Sequence, residues 1–272
     1  MGNWTLESIA WERFDASKVD PEILRNIKAA AMVERNGGDY GIYLRRVFAD
    51  DAAAIEDIDR WSLEEVQHGM ALGRWAQMAD PSWDFDAAFA RFRAGYRLPL
   101  DATTSVRGSQ AGEMMARCIV ETGTSSYYSA LQDATGEPVL KQICGHIASD
   151  EFRHYKLFFG HLERLHARDG LSKLRRLWIG WWRLAESEDD ELAYAYFAAN
   201  EPEDAVYDRK KSGNAYIRRA YPLYRPFHVR RAMAMILKAI GLTPQGRLNG
   251  LLTRLGLWFL RRRTVQLAAE GA

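Results

Sequence analysis

Cysteine, proline and long apolar runs are all scarce in this sequence of 272 residues. The two cysteines, Cys118 and Cys144, fall inside helical patterns, so we expect reduced buried thiols rather than a disulfide framework. The longest apolar run covers residues 255–260, far short of the ~18 residues that a membrane-spanning helix needs. The N-terminus is charged early and has no apolar stretch before a cleavage site, which predicts a cytoplasmic protein without a signal peptide.

Helix-forming residues dominate what is present. With only eight prolines, few runs of β-branched residues and plentiful Ala, Leu, Arg and Glu, the composition predicts an all-α fold. Apolar periodicity predicts four long helices, over residues 20–35, 50–77, 111–131 and 137–165. Asp20 is the expected cap of the first helix, and Pro21 its first residue. Shorter helices are predicted over 171–186, over 189–199 and in three later stretches separated by Pro222, Pro226 and Pro244.

The motif Glu-x-x-His occurs three times, at Glu65 and His68, at Glu151 and His154, and at Glu163 and His166. With 18 Glu and six His in the chain, chance would produce roughly 0.4 such pairs. Residues three apart are neighbours on one face of a helix, so a Glu and a His at this spacing can both reach one metal ion.

The first two pairs lie inside apolar stripes of helical spacing. One stripe is Ile58, Trp61, Glu65, His68, Leu72 and Trp75, and the other is Leu140, Cys144, Ile147, Glu151, His154 and Phe158. Such stripes face a core, so we predict that both pairs are buried. Glu163 is twelve residues past Glu151 and therefore about 120° around the helix, which predicts that Glu163 and His166 form a solvated pair.

Two further glutamates, Glu34 and Glu121, lie on small or apolar helix faces. Residues 33–40 and 120–127 both begin with Val-Glu and have Tyr six positions after the Glu. Each of these glutamates precedes the Glu of a Glu-x-x-His pair, by 31 residues in the first half and 30 in the second. The pattern predicts a duplicated helical hairpin, each half built from one Glu helix and one Glu-x-x-His helix.

Three glycines follow Glu34 on the same predicted helix, at Gly37, Gly38 and Gly41. Each costs about 0.5 to 1 kcal/mol relative to Ala in a helix interior. Their presence indicates close approach of a substrate or of a second helix at this point.

Four buried carboxylates would repel one another unless cations lie between them. Two divalent ions would balance their four charges. One Glu from each of two helices plus Glu-x-x-His from two others is the ligand set of ferritin-like di-iron carboxylate bundles. The candidate ligands are therefore Glu34, Glu65, His68, Glu121, Glu151 and His154. Oxygen-rich ligation with two imidazoles suits iron or manganese better than structural zinc, and an ordinary buried salt-bridge network is the alternative.

Two stretches also resemble a known family. Residues 61–69, WSLEEVQHG, resemble the EENRHG box of soluble acyl-carrier-protein desaturases, and residues 140–154, LKQICGHIASDEFRH, resemble their DEKRH box. Val66-Gln67 and Phe152 replace charged residues of those boxes. The chain is thus identified as a member of the ferritin-like di-iron carboxylate superfamily, closest to these desaturases. The resemblance implies an all-α ferritin-like four-helix bundle over residues 20–168 and a basic helical extension packed on it over 169–272.

The resemblance also implies cofactors and roles. Two iron ions would bind, with O2 as co-substrate and manganese as an alternative in one or both sites. Thr124 matches a threonine beside the di-iron centre and would lie in the oxygen pocket, whereas the alternative is a hydroxyl bonding back to the Val120 carbonyl. Asp150 matches an aspartate that hydrogen-bonds a ligand histidine, and would orient His68.

The expected function is O2-dependent desaturation or hydroxylation of a fatty-acyl or lipid-like substrate, carried on acyl carrier protein or CoA, with electrons from a ferredoxin-type donor. We expect a homodimer. An acyl chain needs an apolar channel, for which the candidate lining residues are Met114, Met115, Tyr127, Tyr128, Trp61, Trp75 and Phe158. Plain core packing is the alternative for this set.

The C-terminal third is basic, with fourteen Lys and Arg against one acid over residues 207–263. This predicts an anionic partner such as acyl carrier protein or a CoA phosphate. Residues 247–263 carry Arg every seven positions beside Leu, Trp and Phe, as in a helix that lies on an anionic membrane, here the inner membrane surface. A solvated helix packed on the bundle is the alternative. Nucleic acid is an unfavoured partner, because no single-strand-binding pattern is present.

Other interpretations stay open. The chain can be a di-iron oxygenase acting on an arylamine, another small molecule or tRNA, or a non-catalytic ferritin-like iron-binding protein. Arylamine N-oxygenases carry a third His one turn before the second-pair Glu, a position that Ile147 occupies here, with His146 one residue away.

Overall fold

The computed structural model describes residues 4–185 and 190–270, which form helices and contain no strand within those ranges; the connection over residues 96–109 is longer than most of the others. The helices are α1 (Pro21–Arg35), α2 (Gly37–Val47), α3 (Ala52–Ala79), α4 (Phe85–Gly95), α5 (Gln110–Ala134), α6 (Pro138–Asp169), α7 (Lys173–Ala185), α8 (Asp190–Asn200), α9 (Arg209–Ala220), α10 (Pro226–Ile240) and α11 (Arg247–Glu270). Short 3-10 turns cover Leu6–Ser8, Trp11–Arg13, Ala16–Lys18 and Tyr221–Leu223. The all-α prediction is confirmed.

Acidic side chains cap α1, α3 and α6 at their starts, and Ser109 caps α5. Asp20 accepts hydrogen bonds from the amides of Glu22 and Ile23, and Pro21 is the first residue of α1, as predicted. Glu137 caps α6, and Asp51 caps α3. These caps satisfy amides that have no partner within the helix. Two predicted helix ends, at Glu186 and Asp189, lie outside the described residues.

The sequence predicts that the helix carrying Glu34 continues through the three glycines, but in the structure it ends before them. α1 ends at Arg35 and α2 begins at Gly37, with Asn36 between them. Close packing on α3 accounts for two of the glycines, because a Cβ on Gly37 would lie 2.3 Å from the Cβ of Glu65, whereas a Cβ on Gly38 would make only an ordinary contact. A Cβ on Gly41 would likewise lie 2.7 Å from the Cβ of Ser62. These two glycines thus serve the approach of a second helix.

The four long helical segments are organised as two pairs. α1 and α2 pack along α3, α5 packs along α6, and α3 contacts α6. Each pair joins one Glu helix to one Glu-x-x-His helix, in agreement with the half-repeat in the sequence.

Two apolar clusters fill the interior, one on each side of a polar layer. Leu72, Trp75, Tyr128 and Ile147 belong to one cluster, and Ile58, Trp61, Met114 and Phe158 belong to the other. On α3 and α6, the Glu-x-x-His pairs lie between members of the two clusters. The apolar packing on both sides therefore sets the depth at which these polar side chains are buried.

The C-terminal helices pack on the two pairs. α8 and α9 contact α1, α7 and α10 contact α5, and α11 contacts α9 and α10. The predicted boundary at residue 168 falls at the end of α6, and the division into two domains stays a prediction. Within the described ranges, no helix has the length and apolar character needed to cross a bilayer.

Candidate metal centre

The six candidate ligands meet in one buried cluster between α1, α3, α5 and α6. Their donor atoms form two groups of four, each within 4.8 Å: Glu34, Glu65, His68 and Glu151 in one, and Glu65, Glu121, Glu151 and His154 in the other. Glu65 and Glu151 belong to both groups. All six side chains are buried. The cluster is therefore compatible with metal binding, and Glu65 and Glu151 are the two carboxylates common to both groups.

Both imidazoles direct Nδ1 into the cluster. The Nδ1 atom of His68 lies 3.2 Å from Oε1 of Glu151 and 3.5 Å from Oε2 of Glu34. The Nδ1 atom of His154 lies 3.0 Å from Oε1 of Glu65 and 3.6 Å from Oε2 of Glu121. Nδ1 is thus the ring nitrogen that each histidine offers to a metal ion.

The outer nitrogen of each histidine contacts an acid on the opposite helix. Nε2 of His68 lies 3.1 Å from Oδ2 of Asp150, and Nε2 of His154 lies 2.7 Å from Oε2 of Glu64. An imidazole that donates its Nε2 proton to a carboxylate keeps the Nδ1 lone pair free for a metal. Asp150 lies where the resemblance places it, beside His68.

Glu64 is an outer carboxylate that the sequence analysis does not single out. Its signal is the repeat itself, because residues 64–68 and 150–154 both read acid-Glu-x-x-His. Arg153 connects the two outer acids, donating hydrogen bonds of 2.7 Å to Asp150 and to Glu64. The two histidines are therefore held by one continuous network.

Five buried nitrogen and oxygen atoms of the cluster have no hydrogen-bond partner among the described residues: Oε2 of Glu34, Oε1 of Glu65, Nδ1 of His68, Oε1 of Glu151 and Nδ1 of His154. An unpaired buried polar atom costs about 1 to 3 kcal/mol, and native proteins pair nearly all of them. Five such atoms around one point are accounted for if cations lie between them. Four carboxylates and two imidazoles fit two divalent ions, and this donor set suits iron or manganese.

Burial and repulsion shift the titration of these groups. Burial, together with the neighbouring Glu151 carboxylate, raises the pKa of Glu121 to about 8, and burial with the same repulsion raises the pKa of Glu65 well above its ordinary value. Burial would also raise the pKa of Glu151, but the imidazole of His68, whose Nδ1 lies 3.2 Å from its Oε1, outweighs burial together with His154 and lowers that pKa to about 2. Burial would lower the pKa of His68 and His154, but the surrounding carboxylates hold both well above the ordinary value. The metal-free cluster is therefore expected to hold protons that divalent ions displace.

Thr124 lies beside the cluster. Its hydroxyl contacts the Glu151 carboxylate and lies 3.3 Å from the Val120 carbonyl. The geometry thus accommodates both contacts considered from the sequence, and a role in an oxygen pocket stays a prediction.

Tyr128 and Trp4 are two further neighbours of the cluster. Tyr128 donates a 2.5 Å hydrogen bond to Glu34, and burial raises the pKa of its phenol well above the ordinary value. Its position seven residues after Glu121 places it on the same helix face, which is the signal that could have identified it. Trp4 donates a 2.8 Å hydrogen bond to Asp150 and stacks over His68 at 5.9 Å between ring centroids. No sequence pattern marks Trp4, which lies outside the ligand helices.

The third Glu-x-x-His pair lies outside the two ligand groups, but the predicted solvated pair is found only in part, because His166 is half-buried. Glu163 is exposed, and its carboxylate pairs with Arg176 at 2.9 Å. His146 also lies outside the two ligand groups found among the described residues. Its ring stacks on Trp4, with 5.2 Å between the ring centroids.

A cavity of about 640 Å³ leads from the cluster toward the C-terminal helices. Its inner wall includes Glu34, Glu65, Glu121, Glu151 and Thr124. Most of the remaining wall is apolar or aromatic and includes Tyr216, Tyr224, Val229, Met233, Ile236, Phe259 and Leu260.

The cavity wall includes only some of the residues predicted to line an acyl channel. Trp61, Tyr127 and Tyr128 line the cavity, as predicted. Met114, Met115, Trp75 and Phe158 instead pack in the apolar clusters and are not among its described lining residues. Helical spacing identifies these four as inward-facing, but it does not separate the wall of a cavity from solid core.

Comparison with known proteins finds no match for this chain, neither among models of protein families nor among curated sequences.

Proposed function

We propose that this protein is an O2-dependent di-iron oxidase of the ferritin-like type that desaturates or hydroxylates a fatty-acyl or lipid-like substrate. One observation carries the proposal: two overlapping groups of candidate ligands share Glu65 and Glu151, and their four carboxylate residues form part of the wall of a large, mainly apolar cavity. A non-catalytic iron-binding site has no need of such a cavity.

Each ion would have its own outer ligands. Glu34 and His68 would hold one, Glu121 and His154 the other, and Glu65 and Glu151 both. Two iron ions at this site would supply the capacity to reduce O2 and to oxidise an unactivated C–H bond.

The protein's own groups position the reactants and control water. The apolar wall would hold an alkyl chain and exclude water from the cluster. Asp150 and Glu64 would keep the Nδ1 atoms of the two histidines directed inward. Tyr128 would fix the orientation of the Glu34 carboxylate through its hydrogen bond.

The electron count requires an external donor in either reaction. Desaturation removes two protons and two electrons from adjacent carbons, and O2 takes them up together with two further electrons and two further protons to yield two waters. Hydroxylation inserts one oxygen atom, while two electrons and two protons convert the other atom to water. We propose a ferredoxin-type protein as the electron source.

The test begins with anaerobic loading of the purified protein with ferrous iron. We expect about two iron ions per chain. Glu151→Gln removes a ligand common to both groups, so the bound iron should fall to about one ion or less. Glu163→Gln, on the exposed side of the same helix, is the matched control and should retain both ions.

Loading with fewer than about one iron per chain, together with an unaffected Glu151→Gln variant, would overturn the metal site. Preferential loading of manganese, measured in a mixed-metal competition, would revise the choice of metal. Oxygen uptake is then measured with acyl-CoA, acyl-carrier-protein and phospholipid substrates and a reduced ferredoxin. Two bound iron ions without product from any acyl substrate would favour an iron-binding protein or an oxygenase of another substrate class.

A further inference from the structure

Helix α7 presents a row of large apolar side chains to solvent. Five are exposed: Leu174, Leu177, Trp178, Trp181 and Trp182. Trp178 and Trp182 touch edge to face, with 5.5 Å between ring centroids. Contiguous exposed apolar surface of this kind marks an interaction site.

Helix α11 carries a similar row. Its exposed apolar side chains include Leu248, Leu251, Leu255, Trp258 and Phe259. They alternate with exposed arginines, among them Arg254 and Arg261, and the Arg262 guanidinium lies 5.3 Å from the Trp258 ring centroid. We call the exposed apolar and basic residues of α7 and α11 the mouth surface.

The mouth surface adjoins the opening of the large cavity. Trp181 of α7 and Phe259 of α11 both line the cavity, although 67% of Trp181 and 49% of Phe259 are exposed. A side chain that lines a cavity and also faces solvent lies at its opening. The two amphipathic helices therefore both contribute to the entrance to the candidate metal centre.

The positive charge of the two helices indicates which kind of partner the mouth surface binds. Residues 173–185 and 247–269 contain nine Lys and Arg and no acid, and six of the nine are exposed, whereas Arg176 is buried and paired with Glu163. A second copy of the same surface would bring like charges together. An acidic protein would satisfy the charge but would have to cover ten exposed apolar side chains as well. An anionic bilayer offers phosphates to the cations and acyl chains to the Trp, Leu and Phe side chains.

We propose that α7 and α11 form a docking surface for an anionic phospholipid bilayer, held against the interface without spanning it. Docking there would place the cavity entrance against the acyl region of the leaflet, so that a lipid-like substrate can enter without crossing water. Entry of substrate rests on the proposed function, whereas docking itself does not.

Flotation of the iron-loaded full chain with vesicles tests this proposal. Vesicles of phosphatidylcholine with about one-third phosphatidylglycerol should carry the protein to the top of a gradient, and vesicles of phosphatidylcholine alone should carry much less. Raising the salt to about 0.5 M should reduce the bound fraction, because the Debye length falls to a few ångströms.

The double variant Trp178→Ser/Trp258→Ser removes two exposed anchors, neither of which lines the cavity. We expect its partition coefficient for the anionic vesicles to fall roughly tenfold or more. Leu63→Ser, at a leucine on α3 that is more exposed than either Trp, is the control and should bind as the parent does.

Absent binding to anionic vesicles at low salt, or unchanged binding of the double variant, overturns the proposal. The proposal is also overturned if a second copy of the chain covers the mouth surface. In that case the parent forms a dimer, the double variant is monomeric, and the parent does not bind vesicles. Binding of acyl carrier protein without any vesicle binding assigns the surface to that protein instead. Iron per chain is measured on the same samples, so that loss of docking with both ions retained is distinct from failure of the metal site.

Discussion

The histidines of the cluster are oriented by residues that the ligand motif itself does not include. Asp150 on α6 contacts His68 on α3, and Glu64 on α3 contacts His154 on α6. This exchange between helices ties the two Glu-x-x-His segments together. Burial would raise the pKa of Glu64, but hydrogen bonds from His154 and Arg153 outweigh it and hold the pKa well below its ordinary value.

Glu64→Ala should weaken metal binding in the group that contains His154. Without the Glu64 carboxylate, the ring nitrogen Nε2 loses its acceptor and the imidazole its fixed orientation, so we expect a loss of about 10- to 100-fold in affinity for one of the two ions. Competition between the protein and a coloured chelator measures the effect. Glu56→Ala, at an exposed position on the same helix, should leave both affinities unchanged; equal losses in the two variants would contradict this role of Glu64.

At the scale of elements, the cluster depends on how closely the α1–α2 junction approaches α3. A Cβ on Gly37 would meet the Glu65 side chain, and a Cβ on Gly69 would lie 2.4 Å from the Arg35 backbone nitrogen. Glu34 lies in the last turn of α1, so the same close approach brings its carboxylate to Glu65 and His68. Helix packing and ligand placement thus depend on the same two glycines.

Gly37→Ala is expected to destabilise the protein, although alanine is the better helix former. The added methyl must displace Glu65, so we expect a loss of about 1 to 3 kcal/mol in the free energy of unfolding, together with weaker metal binding. Gly160→Ala on α6, where a Cβ would meet nothing within 4 Å, should instead gain about 0.4 to 1 kcal/mol. Urea denaturation measures the free energy of unfolding of both variants. A stabilised Gly37→Ala variant would disprove the tight contact.

Asp51 joins α3 to α6 and makes the stability of the pair dependent on pH. It accepts from the Ala54 amide as the α3 cap and pairs with Arg164 of α6 at 2.5 Å. Burial would raise the pKa of Asp51, but the Arg164 guanidinium outweighs it and lowers the pKa. A lowered folded-state pKa means that the contribution is complete above the unfolded pKa of about 4 and is lost as pH falls through the folded value.

Asp51→Ala should therefore lower the free energy of unfolding by about 1 to 2 kcal/mol at pH 7, and by progressively less below about pH 4. Urea titrations of the parent and the variant at several pH values give the difference directly. Asp204→Ala, at an exposed position outside any helix, should show little effect at either pH. A difference between parent and Asp51→Ala that grows on acidification would contradict the assigned sign.

Across the whole chain, helices from its N-terminal and C-terminal parts together form the wall of the cavity. Its inner wall comes from α1, α3, α5 and α6, while α7, α9, α10 and α11 supply much of the rest. The C-terminal helices would therefore determine which substrates reach the cluster, whereas the four long segments would hold the metal.

Ala232→Phe places a ring in the cavity from α10. We expect unchanged iron loading, with turnover of long acyl chains reduced roughly tenfold or more relative to short ones. Ala234→Phe, two residues along the same helix and equally half-buried but not part of the cavity wall, is the matched control. Product analysis over a series of chain lengths measures the ratio of long-chain to short-chain turnover. An unaltered ratio in Ala232→Phe would show that the cavity is not the acyl-binding site.

Local sequence signals were sufficient to predict the long helices and the helix faces that carry the candidate ligands. Caps such as Asp20 and apolar spacing such as Ile58, Trp61, Leu72 and Trp75 are local signals, because a helix needs only its own hydrogen bonds and one buried stripe. The half-repeat added the correspondence between Glu34 and Glu121, whose side chains lie in one cluster. The roles of these residues as ligands, and of Thr124 and Asp150 beside them, stay predictions.

The surroundings of that cluster could not be predicted from local signals, because they depend on packing between distant segments. The break at Asn36, the contact of Trp4 with Asp150 and the cavity wall from α10 and α11 all depend on segments far apart in the chain. Periodicity shows which way a side chain faces within its own helix, but packing between distant helices decides whether it meets solid core, a cavity or solvent. For that reason Met114 and Phe158 belong to the core, while Met233 and Phe259 line the cavity.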